Sequence, residues 1–302
     1  MDNLKDKIVK IAKAKGIAIF AHTYQSPDIQ EIADFTADSL ELARKSRESE
    51  SKIILLCGVH FMAESAAILA PDKIILIPDM KAGCPMADMV TEKELLEAKK
   101  KYPKAFVVTY VNSSAKIKAL SDVCCTSANA VEVVRNFPAK EVLFVPDQFL
   151  GGWIKEQLKM EKIIHLYPGY CPVHQIFSEN DVKRLKEDHS HAVTLCHPEA
   201  NPVIRAHADK IMSTSQMIRY AAKSSADEFI ILTETGIETP LKKNNPQKKF
   251  YFPDKDIVCK DMKKITLEKV LHACEKLEYR VTVPEEVRTR AFKALDKMLK
   301  YG

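Results

Sequence analysis

Short apolar runs, mostly β-branched and with little alternation, punctuate the chain at 17–21, 35–37, 52–57 and 73–77. The same four-run series returns at 106–110, 123–126, 142–145 and 162–166, and again at 192–196, 210–213, 229–233 and 249–252. Runs this short with no polar side predict strands covered on both faces, as in a parallel sheet. Between them lie stretches with helical spacing, such as 39–46, 127–136 and 214–223. Strand alternating with helix predicts an α/β protein whose parallel sheets carry helices on both faces. Thr91, Ser178 and Thr266 read as helix N-caps, and Glu94 completes a capping box with Thr91. Pro78, Pro168 and Pro253 follow the fourth run of each series and end it. The tail, 279–302, predicts a strand and a helix opening at Pro284, docked on the first domain.

The three series are copies of one unit. Cys84, Cys171 and Cys259 stand 87 and 88 residues apart, and each closes a copy. His22, Tyr110 and His197 are spaced 88 and 87, as are Ser39, Ser127 and Thr214. In every copy the hydroxyl residue follows the His or Tyr by 17. So long a period makes each repeat a small domain rather than a solenoid unit. The expected organisation is three similar three-layer α/β/α domains with short parallel sheets, in a pseudo-threefold arrangement around a central site. The ranges are 1–84, 85–171 and 172–259, with 260–302 docking on the first.

Composition narrows the classes. Of 302 residues, 46% are hydrophobic and 29% charged, as in ordinary globular proteins. The net charge of +5, with acid and base well mixed, suits anionic small molecules and gives no case for nucleic acid. No apolar run is long enough to span a bilayer. The opening MDNLKDKIVK lacks the apolar centre of a secretory signal, so a cytoplasmic location is expected. Eight cysteines in such a chain read as reduced thiols or metal ligands.

In parallel α/β sheets, sites form beyond the carboxyl ends of the strands. His22 with Tyr24, Tyr110 with Asn112, and His197 with Glu199 end the first run of successive copies. Ser39, Ser127 and Thr214 begin helices after the second run. There a hydroxyl and free N–H groups can seat a carboxylate or phosphate, or serve merely as a helix cap. Cys84, Cys171 and Cys259 fall in loops after the fourth run. Cys84 and Cys171 precede prolines, placing each thiol at a helix start, where its pKa is lowered. Cys57, Cys124, Cys125 and Cys274 read as buried small hydrophobes. Cys196 ends a strand beside His197, but its phase mates are Ala21 and Thr109. Three thiolates allow a zinc site completed by His174 or water, or a cubane iron–sulfur cluster with one open iron. His22, His174, His197, Tyr24, Tyr110 and Glu199 would supply acids and bases around a metal-bound substrate.

The segments AHTYQSPDIQEIADFTADSLELARKS, CGVHFMAE, GCPMADM, YVNSSAKIKALSDVCCTSANAVEVV, CPVHQ, HPEANPVIRAHAD and VCKDMK together resemble the quinolinate synthase A family of the pathway to NAD, over nearly the whole chain. The resemblance implies three α/β/α domains and a [4Fe–4S] cluster on Cys84, Cys171 and Cys259. It implies an enzyme that condenses iminoaspartate with dihydroxyacetone phosphate, losing phosphate and two waters. It also implies functional coupling to an iminoaspartate-producing enzyme, and no nucleic-acid or membrane partner. Substrate contacts are implied for His22, Ser39, Tyr110, Val111, Asn112, Ser127, His197, Pro198, Glu199 and Thr214, and catalytic roles for Tyr24, Tyr110, His174, His197 and Glu199. Thr23 stands where the family often has asparagine, and His60 where an acidic residue is common. The last cysteine lies in CxxM without a second cysteine, so a redox disulfide is not expected there. The alternatives are a non-catalytic iron–sulfur redox or sensor protein and a zinc-dependent aldolase-like enzyme.

Overall fold

Among the described residues, twelve strands form three parallel sheets of four, all with the same order. The computed structural model describes residues 2–159 and 161–301; Met1, Met160 and Gly302, inside the expected domain ranges, lie outside the described residues. The first sheet holds β1 (Ile17–His22), β2 (Phe35–Ala37), β3 (Ile53–Cys57) and β4 (Ile74–Leu76), in the order β2-β1-β3-β4. The second holds β5 (Phe106–Tyr110), β6 (Val123–Cys125), β7 (Glu141–Val145) and β8 (Ile163–Leu166), in the order β6-β5-β7-β8. The third holds β9 (Val193–Cys196), β10 (Lys210–Ile211), β11 (Glu228–Leu232) and β12 (Lys249–Tyr251), in the order β10-β9-β11-β12. The expected α/β architecture is therefore present three times. All six residues of β1 are buried, which explains its unbroken apolar pattern.

The copies share their internal ties as well as their strands. Asp34, Asp122 and Asp209 each stand one residue before the second strand of their unit. Each carboxylate accepts a backbone N–H at the start of the first strand, from Ile19, Val107 and Thr194, at 2.8, 2.8 and 2.7 Å. In a 2-1-3-4 order the connections leave the first strand in opposite directions, so a crevice opens at its carboxyl end. His22 and Tyr110 are the last residues of β1 and β5, and His197 directly follows β9.

Helix ends follow local chemistry. Thr91 and Ser178 form capping boxes with Glu94 and Asp181, and Thr266 caps with its side chain alone. The helix expected at 127–136 starts at Ala130 instead, because the chain turns first, with the Thr126 N–H donating to Asn129 Oδ1 at 2.8 Å.

The tail also departs from expectation. Its predicted strand shrinks to one antiparallel bridge between Leu76 and Arg280. Leu277 and Tyr279 hold left-handed φ values of 57° and 62°, which interrupt any extended run. Helix Leu267–Lys276 packs on helix Asp2–Lys15 of the first unit. The last helix, Glu285–Tyr301, spans two units rather than docking on the first alone. It lies on helix His60–Leu69 and on β6 with helix Ala115–Ala119 of the second unit. Asn129 Nδ2 and Asn136 Nδ2 donate to its Met298 and Tyr301 carbonyls at 3.3 and 3.2 Å. Among the described residues no helix is long and apolar enough to cross a membrane.

Candidate active site and metal centre

One cavity receives the strand ends of all three units. His22, Tyr24, Ser39 and Cys84 come from the first, Tyr110, Asn112, Ser127 and Cys171 from the second, and His174, His197, Glu199, Thr214 and Cys259 from the third. Val111 and Pro198 are not among its lining residues. Val111 packs into the apolar core with its N–H on the Cys125 carbonyl at 2.9 Å, and Pro198 lines a separate cleft where its carbonyl accepts Arg205. Thr23 and His60 also stand off the cavity.

Ser39 and Thr214 are the first helical residues, not the caps. Asp38 accepts the N–H groups of Leu40 and Glu41, and Ser213 that of Gln216, so capping is done one residue earlier. That leaves the Ser39 and Thr214 hydroxyls free for the cavity at the positive ends of their helices. The Thr214 hydroxyl meets the Tyr24 phenol at 2.8 Å, and Thr233 meets the same phenol at 2.8 Å. Thr233 also contacts His174 Nε2 at 2.8 Å. Thr233 was not singled out in the sequence, because nothing local marks a threonine that follows a strand.

Glu199 lies at the centre of the polar network. Its Oε1 accepts the Tyr110 phenol at 2.5 Å, and its Oε2 lies 2.9 Å from His174 Nδ1. The His174 and His197 rings stack with centroids 4.4 Å apart. Burial raises the Glu199 carboxyl, but His197, which carries charge only in acid, and hydrogen bonds from His174 and the Tyr110 phenol outweigh it, so its pKa lies below the ordinary carboxylate range and the group is ionised at pH 7. Burial pushes His22 down to about 3, with Lys263 adding to the effect. Burial also takes His197 down to about 3. Both rings are therefore neutral at pH 7. The Nδ1 atom of His22 accepts the Tyr24 N–H at 3.1 Å, and that of His197 the Glu199 N–H at 3.4 Å, which leaves each ring proton on Nε2. Burial, then the Glu199 charge, keeps the Tyr110 phenol protonated, and burial does the same for Tyr24. Asn112 Oδ1 is buried with no partner among the described residues and faces the cavity as a spare acceptor.

The three in-phase thiols follow one construction. Each is followed by a tight turn whose N–H groups face the sulfur: Met86 and Ala87 for Cys84, His174 for Cys171, Asp261 and Met262 for Cys259. The expectation of lowered thiol pKa values is not met. Burial pushes Cys84 up to about 12 and raises Cys171 and Cys259, because desolvation outweighs a few N–H contacts. A bound cation would reverse that balance. Among the described residues, Cys171, His174 and Glu199 bring three donor atoms within 4.8 Å of one another, whereas the three thiols together do not. The three thiols face a common space. Cys57, Cys124, Cys125, Cys196 and Cys274 are wholly buried elsewhere.

Comparison with known proteins gives the family. A family model described as "Quinolinate synthetase A protein" matches residues 6–300. A quinolinate synthase of Dehalococcoides mccartyi is 48% identical over 98% of this chain and 98% of its own length. Quinolinate synthase 2 of Methanosarcina acetivorans is 48% identical over 98% and 95%. A quinolinate synthase of Clostridium perfringens is 45% identical over 99% of both chains.

The chain belongs to the quinolinate synthetase A family.

The chain is an enzyme of the quinolinate synthase type, and its candidate site draws on all three repeats. Glu234 and Lys263 were missed in the sequence reading. Glu234 lines the cavity, wholly buried, and pairs with Lys263 at 2.9 Å; Lys263 also donates to the Tyr24 carbonyl. Gly236 allows this contact, since a Cβ there would sit 2.8 Å from Tyr24 Cα.

Proposed function

We propose that this chain condenses iminoaspartate with dihydroxyacetone phosphate to quinolinate, releasing phosphate and two waters, with a [4Fe–4S] cluster held by Cys84, Cys171 and Cys259. The observation that carries this reading is the convergence of three in-phase thiols, Glu199, two tyrosines and three histidines on one cavity. Three thiols facing one cavity, one from each unit, suit a cubane with a single open iron. A cubane on three thiolates keeps one iron without a protein ligand, and when bound it supplies a Lewis acid for a substrate hydroxyl or carboxylate.

The chain's own side chains account for the remaining needs. Glu199, ionised and close to Tyr110 and His174, takes the protons that enamine formation and the two dehydrations release. Tyr24 and Tyr110, held protonated, give protons to departing oxygens. His22 and His197, neutral with the proton on Nε2, orient carbonyl or carboxylate oxygens. Ser39 and Thr214, in the first turns of their helices, seat anionic groups of the substrates. Asn112 Oδ1 accepts a substrate N–H or O–H. A cytoplasmic location and supply of iminoaspartate by a second enzyme belong to the same reading.

A second reading, a zinc-dependent aldolase-like enzyme, draws on Cys171, His174 and Glu199. Against it, His174 and Glu199 are already engaged with Thr233, Tyr110 and each other. One anaerobic preparation decides. Iron and sulfide together, a broad visible absorbance, and quinolinate formed only with both substrates are the expected results. Zinc without sulfide would favour the aldolase reading. A cluster with no product would favour a redox or sensor protein.

A further inference from the structure

The main-chain N–H of Cys171 donates to Asp147 Oδ2 at 3.2 Å, and that of Cys259 to Glu234 Oε1 at 3.1 Å. The two acceptors occupy equivalent places. Each is the second residue after the third strand of its unit, following β7 and β11, and they stand 87 residues apart. Both are wholly buried. The other oxygen of each serves the turn that follows the strand. Asp147 Oδ1 accepts from Phe149 and Leu150 at 2.8 and 2.7 Å, and Glu234 Oε2 accepts from Gly236 at 2.6 Å.

The first unit breaks the pattern. Val59 stands 88 residues before Asp147, two residues after β3. Its side chain cannot accept a hydrogen bond, and among the described residues the Cys84 N–H has no protein acceptor. A buried carboxylate is costly unless its oxygens are met by donors. A cap alone is served by serine, asparagine or aspartate at an exposed end. Here one oxygen does the capping, and the other is committed to the residue that carries the thiol. That second bond fixes the Cys171 and Cys259 backbones, and with them the direction of each Cα–Cβ bond. Glu234 extends the hold further, because its partner Lys263 also donates to the Tyr24 carbonyl.

We propose that Asp147 and Glu234 are positioning residues that set two of the three thiol-bearing loops before a metal centre is built, and leave the Cys84 loop as the compliant corner. The inference rests on the reading of these cysteines as ligands of one centre. Groups that hold a ligand residue in place in this way are typically worth ~10–100-fold in metal affinity or activity.

Two measurements test it separately from that reading. In the metal-free full-length chain labelled with 15N-cysteine, amide exchange at Cys171 and Cys259 is expected to be slower than at Cys84 by about tenfold or more. Equal exchange at all three overturns the proposal, whether or not the protein binds iron. In anaerobically reconstituted protein, Asp147→Asn and Glu234→Gln each retain one oxygen, so they satisfy the cap or the cysteine but not both. Iron release to a chelator is expected to quicken by roughly 10–100-fold in each. Ser224→Ala, which removes a turn hydrogen bond to the Ala226 N–H before β11, at the end of the sheet opposite the cavity, controls for general loosening. Release at the wild-type rate in both variants, or equal acceleration in the control, overturns the proposal. If a variant does not fold, the exchange measurement decides alone. A wild-type protein that binds no iron would refute the cluster reading and leave the exchange result to judge the two carboxylates.

Discussion

Glu199, itself buried, receives the Tyr110 phenol at 2.5 Å on one oxygen and has His174 Nδ1 2.9 Å from the other, inside the cavity shared by the three units. Glu199→Gln preserves shape and removes the base. The expected outcome is unchanged fold and iron content, with turnover lower by about 10²–10⁴ in a steady-state assay. Full activity with iron intact would remove Glu199 from the mechanism. The neutral histidines make a second prediction. The His22 and His197 pKa values are lowered from 6.5 to about 3 in the fold, so between those limits only the unfolded chain takes up their protons. Stability is therefore full above pH 6.5 and falls with pH, by up to about 1.4 kcal/mol per pH unit for each ring. Glu199 acts in the same direction at lower pH, since its lowered pKa withdraws stability below the ordinary carboxylate value of 4.5. Thermal melts of the metal-free protein from pH 7 to 5 should drop steadily, and His22→Asn should flatten the slope. A flat profile in the wild type would show that the rings are not held neutral.

At the scale of elements, the site depends on how closely loops approach one another. Residues 233–236 leave β11, bring Thr233 to the Tyr24 phenol, Glu234 to Lys263, and Gly236 against the Tyr24 backbone. A Cβ at Gly236 would lie 2.8 Å from Tyr24 Cα and 2.8 Å from Glu234 Oε2. The obstacle is largely backbone, so the loop has to move. Gly236→Ala is expected to cost about 1–3 kcal/mol of stability, as overpacking does, and to lower kcat through displacement of Tyr24. Urea unfolding and steady-state kinetics on one preparation check both, and an unchanged kcat would mean that Tyr24 tolerates the shift.

Across the whole molecule, each unit contributes one thiol, so losing any one should disable the centre. Cys84→Ala, Cys171→Ala and Cys259→Ala are each expected to abolish iron loading and turnover. Cys57→Ala and Cys274→Ala, buried away from the cavity, should keep both. Iron and sulfide analysis after anaerobic reconstitution reads the result. A Cys196→Ala protein that lost the cluster, beside a Cys259→Ala protein that kept it, would overturn the assignment.

Periodicity made the repeats, the twelve strands and the three cysteines legible, because each depends on residues close in sequence or spaced by one constant interval. The helix starts at Ser39 and Thr214 were legible for the same reason, although the cap one residue earlier became clear only from the hydrogen bonds. Other features required the chain to be folded. Tyr24 meets Thr214 across 190 residues and Thr233 across 209, and no local pattern marks such pairs. Asp147 and Glu234 escaped notice because their phase mate is Val59, so the repeat carries no common chemistry at that place. The last helix straddles two units because its buried Ala291, Ala294, Leu295 and Met298 face a seam that exists only after those units meet. By itself the sequence determined what each unit is and which residue types end its strands. The tertiary structure decided that the three thiols face one cavity and that His22 and His197 are neutral, because convergence and desolvation arise only when three strand ends close around one space.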